Sequence, residues 1–328
     1  MTSSHEHLAP RDPTLAWLLD ESQPAVRYHT LTSLLDLPES HPDVSEARSK
    51  IPKRGWAADI LARQRPDGRW ESDQSVYRPK YTASNWMAIV LSDLGMTRDD
   101  ERIARTAELF FQEWMDERKK NKFDGEVCMV GNTARFMTRF GYQRDPRVKR
   151  LFDRLLEDQK SDGGWHCWGS AAGTLDCWEA LAAFAVIPEG DRSREIRRAI
   201  ARGAEFYLER RLFEEGPSRY RPWFRLHYPT HYYYDILVGL DVVTALGFGG
   251  DKRLEPALDI LRRKGRSGRW PIDRVHPDPP SYAWGRHNLR HETKPFALER
   301  AGLPSKWVTL TALTVLRRVA NARQESSS

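Results

Sequence analysis

One stretch, Arg154 to Ile187 (RLLEDQKSDGGWHCWGSAAGTLDCWEALAAFAVI), constrains the fold of this chain more than any other. A helix-like segment ends at Gln159. The turn Ser161-Asp162-Gly163-Gly164 closes on Trp165, and a second, more apolar segment begins near Thr174. Asp-Gly supplies the positive φ that a sharp reversal needs. The unit recurs. Leu61-Ala-Arg-Gln64-Arg-Pro-Asp67-Gly68-Arg-Trp70 matches Leu156-Glu-Asp-Gln159-Lys-Ser-Asp162-Gly163-Gly-Trp165 nearly residue for residue. Leu261-Arg-Arg-Lys264-Gly-Arg-Ser267-Gly268-Arg-Trp270 is a weaker third copy. Trp70 and Trp165 stand two units of ~47 residues apart, the size of a paired-helix repeat.

Between these turns, amphipathic and apolar segments alternate. The amphipathic, outer kind is predicted at 55–63, 102–115, 146–159, 195–212 and 254–264. The apolar, inner kind is predicted at 82–94, 134–140, 174–187, 236–246 and 308–319. Gly95, Gly141 and Gly247 stop three of the inner segments. A first helix pair is expected at 14–19 and 25–37, followed by a polar connector over 38–52. A charged turn is expected at 118–123 and a long loop over 270–295. Helices apolar on all sides are buried, and amphipathic ones cover them. About six helical hairpins closing into an all-α, α/α toroid is the simplest arrangement. The expected domain spans residues 14–320, with a disordered N-terminus (1–13) and a loose tail (321–328).

At 328 residues the chain can bury a sizeable core. The net charge of +6 comes from Arg spread over helix faces, with no compact basic block of the nucleic-acid kind. Three cysteines make no disulfide framework, which points to a reducing cytoplasm. No apolar run approaches the ~20 residues of a membrane span.

The repeated Gln, Asp-Gly, Trp turn resembles the QW motif of squalene and hopene cyclases and of protein prenyltransferase β subunits. Further along, Pro24-Ala-Val-Arg27-Tyr28, Cys128-x-x-Gly131-Asn132, Asp145-Pro-Arg-Val and Pro304-Ser-Lys-Trp307-Val-Thr-Leu resemble a family of short bacterial and archaeal proteins. That family is labelled squalene-cyclase-like or prenyltransferase-like. The resemblance covers most of the chain. It implies the toroid and an enzyme acting on an isoprenoid or other apolar substrate in a central aromatic-lined cavity. It also leaves room for peripheral contact with a bilayer. A partner subunit, which protein prenylation would require, has no signal here. The alternative is a non-catalytic small-molecule binder or structural toroid, with a structural zinc or no metal, since function does not follow from fold.

The site candidates follow from this frame. The Asp-x-Asp-Asp motif of squalene-type cyclases and the Asp-Asp-x-x-Asp of Mg²⁺-dependent terpene synthases are both absent; Asp99-Asp100-Glu101 reads as a helix cap. Prenyltransferase β subunits hold zinc through Asp, Cys and His near inner-helix starts, which implicates Asp176, Cys177 and His231. Here, however, Asp176 and Cys177 are adjacent, and adjacent helical side chains diverge by ~100°. Cys128, Cys167 and Cys177 occupy equivalent regions of neighbouring repeats. With His231 or His166 they would make a Cys₃His set suited to zinc; the competing reading is three buried thiols. Trp86, Phe136, Trp178, Tyr232, Tyr233, Tyr234 and Trp307 would line a cavity and face carbocations, or simply pack. Three consecutive tyrosines cannot all face one core, so one of them is expected at the cavity or its rim. The catalytic candidates are Asp176, Asp235 and Tyr233. Asp235 serves either as an acid raised by burial or as a helix-start charge. Arg135, in the run that holds Asn132, would suit a diphosphate or carboxylate. His287 and His291 would share a metal only if their segment were helical.

Overall fold

Acidic side chains cap two of the amphipathic helices, a serine caps a third, and apolar runs fill the buried ones. A computed structural model describes residues 12–71, 75–116, 126–216, 220–275, 281–284, 289–292, 294 and 296–325. Its helices are α1 (Pro13–Leu18), α2 (Pro24–Ser33), α3 (Pro42–Lys50), α4 (Trp56–Leu61), α5 (Ser84–Asp93), α6 (Glu101–Glu113) and α7 (Val127–Met137). They continue with α8 (Pro146–Asp158), α9 (Glu179–Ala185), α10 (Arg194–Glu209), α11 (Ile236–Ala245), α12 (Glu255–Lys264) and α13 (Lys306–Glu325). Asp145 illustrates the outer starts: its carboxylate accepts from Arg147 N at 2.9 Å, with Pro146 in the first turn of α8. Asp100 caps α6 in the same way.

The inner helices form a closed circuit. α5 packs on α7, α7 on α9, α9 on α11, α11 on α13, and α13 on α2. The gap between α5 and α2 closes at Gly95, where a side-chain carbon would lie 3.5 Å from both Tyr28 and His29. The outer helices α4, α6, α8, α10 and α12 lie against this ring. The chain's two ends join through Lys306, whose Nζ donates to Trp17 O at 2.7 Å. The architecture is an all-α, α/α toroid.

The repeated turn is a hydrogen-bonded clamp. Trp70 Nε1 donates to Ile60 O at 2.8 Å, Trp165 Nε1 to Leu155 O at 2.8 Å, and Trp270 Nε1 to Leu261 O at 2.7 Å. Each indole thereby bonds a carbonyl in the last turn of its own outer helix, where carbonyls lack the i+4 partner; Ile60 O also accepts from Arg63 N at 3.1 Å. The glutamine reaches onward. Gln64 Nε2 donates to Gly68 O and to Arg102 O and Thr106 Oγ1 of α6. Gln159 Nε2 donates to Gly163 O and to Ala199 O of α10, both at 2.9 Å. Each outer helix is thus tied to the next outer helix, α4 to α6 and α8 to α10. Gly163 has φ +89°, and a Cβ there would sit 2.4 Å from Arg202 O.

Several boundaries differ from the sequence expectation. The supposed connector 38–52 contains α3, started by His41 and Pro42, with Val44 and Ala47 packed on Leu19 and Leu31. α7 begins at Val127, not Ala134, and Gly131 within it lets its backbone press against α9: a Cβ there would lie 2.6 Å from the Glu179 backbone. α9 begins at Glu179, not Thr174. Glu215 holds the intervening chain instead, accepting from Thr174 Oγ1 at 2.9 Å and Leu175 N at 3.2 Å. α13 runs on to Glu325, through the expected tail. The loop after Trp270 carries an antiparallel pair, β1 (Ser281–Trp284) and β2 (Leu289–Glu292). His291 is therefore in a strand, which removes the helical spacing its pairing with His287 needed; His287 lies outside the described residues. So does the charged turn 118–123, as do residues 1–11 of the expected N-terminal tail, whereas Asp12 caps α1.

Candidate functional site

A cavity of about 450 Å³ occupies the middle of the ring. Its mouth lies at the C-terminal ends of the inner helices, where the ion pairs Asp93–Arg139 and Asp241–Arg318 sit at its rim. Its floor is built from the loops that lead into the inner helices. It holds Trp178 before α9, His227, Tyr228 and Asp235 before α11, and Trp307 at the start of α13. Tyr28 and His29 of α2 and Arg135 of α7 complete the wall used below. Aliphatic side chains of α11, such as Leu237, Val238 and Val242, line one side.

Asp235 does two things at once. Its Oδ1 accepts from Leu237 N at 2.8 Å and Val238 N at 2.9 Å, which caps α11. Its Oδ2 lies 2.7 Å from His227 Nδ1 and also accepts from His227 N at 3.1 Å. The carboxylate is 1% exposed. The imidazole is therefore fixed through Nδ1, while Nε2 is buried on the cavity wall with no hydrogen-bond partner. A histidine of the cavity lining that is oriented by a buried carboxylate through Nδ1 and leaves Nε2 unbonded has the parts that proton transfer needs.

Three more polar groups line the same cavity. Arg135 is almost fully buried with its guanidinium 4.9 Å from the Trp178 ring centre. Burial lowers its pKa from the ordinary arginine value. His29 stands edge-on to Trp307 at 5.5 Å, and burial pulls its pKa down to about 4, so it is neutral at neutral pH. Tyr228 stacks on Trp307 at 4.7 Å, and its buried hydroxyl has no hydrogen-bond partner.

Of the residues singled out from the sequence, Arg135, Trp178, Asp235 and Trp307 meet at this cavity. The others lie elsewhere. Phe136 packs between Phe110 and Phe140. Tyr234 is buried beneath Gly239 and donates to Leu212 O at 2.7 Å. Tyr232 and Tyr233 stack on each other at 4.4 Å, with Lys80 Nζ 2.8 Å from the Tyr232 hydroxyl. Trp86 donates to Tyr77 O and packs against Tyr81, Tyr232 and His231. Asp176 accepts from Trp223 Nε1 at 2.8 Å.

The cysteines do come together. Cys167 Sγ is 3.3 Å from Cys177 Sγ and accepts from Cys128 N at 3.4 Å, at the start of α7. Hydrogen bonds from the Cys128 and Cys177 thiols and the Cys128 N–H pull the Cys167 pKa down, and the same contacts push Cys128 and Cys177 up. The His231 ring packs against Tyr81 and Trp86, and His166 Nδ1 accepts from Trp168 N at 3.0 Å. Among the described residues, no group of three or more His, Cys, Asp or Glu side chains is placed to hold a metal ion.

His227, His29, Tyr228 and Glu179 were missed from the sequence. His227 precedes an inner helix within the same His-Tyr-Pro run that drew attention to His231, and that position was its one signal. Glu179 is fully buried at the start of α9 with neither carboxyl oxygen bonded. Burial raises its pKa well above the usual carboxylate range.

Fold and site together define an α/α toroid with an aromatic-walled polar-floored central cavity. No family model matches the chain, and no curated protein matches it. Among solved structures the chain is similar to the type II terpene cyclase MstE from Scytonema. The ligand-free form shares 17% identity over 92% of this chain and 89% of that one, with a TM-score of 0.45. A variant of that cyclase in complex with geranylgeranyl dihydroxybenzoate shares 16% over 92% and 88%, at 0.44. A protein from Actinoplanes shares 17% over 90% of each chain, at 0.42.

Proposed function

We propose that this protein is an enzyme acting on an isoprenoid or similarly apolar small molecule inside the central cavity, with His227 transferring a proton. The observation that carries the reading is a cavity-lining histidine, His227, whose Nδ1 is held by Asp235 and whose Nε2 has no hydrogen-bond partner. The apolar class follows from Trp178, Trp307 and the aliphatic face of α11. The isoprenoid class follows from the sequence resemblance alone. A volume of about 450 Å³ falls within the usual range for small-molecule sites. Aromatic faces next to a proton-transfer group suit a substrate that develops positive charge as it reacts. Zinc at Cys128, Cys167, Cys177 and His231 is no part of this reading, because among the described residues no group of three or more His, Cys, Asp or Glu side chains is placed to hold a metal ion. Among the described residues no helix is long and apolar enough to cross a membrane.

Native mass spectrometry of the purified protein tests the cavity by detecting any co-purifying lipid. Incubation with linear isoprenoids, followed by product analysis, tests the chemistry. A product made by the wild type and lost in His227→Gln, with binding retained, supports the proposal. An unchanged product in His227→Gln sinks the role given to that residue.

A further inference from the structure

We propose that the cavity binds an apolar monocarboxylic acid, its carboxylate held by Arg135. The inference rests on the cavity reading above and adds the head group. Arg135 is 5% exposed and lines the cavity. Its Nε and Nη2 have no hydrogen-bond partner, and among the described residues no carboxylate lies within ion-pair distance of it. Its guanidinium lies 4.9 Å from the Trp178 ring centre, and Asp93, Glu179 and Asp241 act on it from beyond ion-pair distance. A buried cation without a direct ion-pair partner is unfavourable for the fold by itself. A ligand that brings an anion offsets that cost, which gives such a residue a reason to be there.

The charge balance of the wall selects the kind of anion. The other cations are matched: Arg139 by Asp93, Arg318 by Asp241, and Arg48 by Glu39. His29 is neutral. The remaining carboxylate of the wall, Asp235, is held by His227 and by the first N–H groups of the helix it caps. Among the described residues Arg135 is therefore the one lining arginine without an ion-pair partner, which suits a monoanion, whereas a diphosphate would bring several negative charges to meet it. A planar guanidinium also offers paired N–H groups in the geometry a carboxylate accepts. The buried Tyr228 hydroxyl on the same wall supplies a further donor. The apolar body then lies along Trp178, Trp307 and α11.

Calorimetric titration of the full chain with farnesoic acid, farnesol and farnesyl diphosphate tests this, using the wild type, Arg135→Lys and Arg135→Gln. The acid should bind the wild type at least about tenfold more tightly than the alcohol. Arg135→Gln should lose that difference while still binding farnesol, and Arg135→Lys should keep part of it. Ligand-free Arg135→Gln should melt no lower than the wild type, because an unpaired buried charge has been removed. A lower melting temperature would make the guanidinium structural and overturn the inference. Equal binding of acid and alcohol, a preference that survives in Arg135→Gln, or tighter binding of the diphosphate than of the acid would overturn the head group alone. Binding of none of the three would overturn the head group and the cavity reading together.

Discussion

The Nδ1 atom of His227 and the Oδ2 atom of Asp235 are 2.7 Å apart, and the same carboxylate caps α11 through its other oxygen. Asparagine caps helices about as well as aspartate, whereas alanine costs ~0.5–2 kcal/mol. Asp235→Asn should therefore hold the fold near wild-type stability yet lose the charge that orients the imidazole. Asp235→Ala should lose both. Comparing urea midpoints and turnover for the two variants separates the roles. If Asp235→Asn turns over at the wild-type rate, the carboxylate is a cap and nothing more.

The clamp turns make a second prediction. Trp165 is fully buried, and Trp165→Phe keeps most of its apolar area while leaving Leu155 O without the indole donor. An unmade buried hydrogen bond costs ~1–3 kcal/mol. Gln159→Ala removes two donor contacts at once and cuts the tie between α8 and α10. Both variants should lower the chemical-denaturation midpoint by amounts in that range. A loss confined to a few tenths of a kcal/mol in both would mean that the turn follows the fold rather than fixing it.

The clamp was legible in the sequence because it is local: Gln159, Asp162-Gly163 and Trp165 act within a few residues, and the pattern repeats. The alternation of inner and outer helices was legible for the same reason, from periodicity alone. The site was legible only in part. Asp235 stood out as a charge in an apolar helix start, but its partner His227 sits in a loop whose path no periodicity sets. His29 lies on α2, whose face toward the cavity is decided by ring closure at Gly95. The grouping of the cysteines follows from the ring, since Cys128 and Cys167 belong to different hairpins. The orientation of the His231 ring does not, because it depends on packing against Tyr81 and Trp86.

A third prediction concerns the thiols. With Cys167 and Cys177 sulfurs 3.3 Å apart and Cys167 shifted toward thiolate by its hydrogen bonds, this pair is set for oxidation. Treatment of the folded protein with diamide should yield a Cys167–Cys177 disulfide, seen by peptide mapping, with Cys128 alkylatable after unfolding. Zinc measured in the same preparation should be substoichiometric. A full equivalent of zinc that disappears in Cys177→Ala would overturn this account of the cluster.

Two buried groups should give stability opposite dependences on pH. His29 has its pKa lowered by burial from 6.5 to about 4, so the unfolded chain takes up a proton that the folded one refuses. Its contribution is complete above pH 6.5 and is lost as pH falls toward 4, by a total on the order of 3 kcal/mol. Glu179 runs the other way. Burial raises its carboxyl well above 4.5, so the folded chain keeps a proton that the unfolded one releases. Stability is then lost as pH rises from 4.5 toward the folded value. Relative to wild type, His29→Gln should gain as the medium is acidified and Glu179→Gln should gain as it is made alkaline. Urea midpoints between about pH 4 and pH 8 at constant salt check both signs. Variant curves running parallel to the wild type would show that neither group titrates differently on folding, and would return both side chains to ordinary packing.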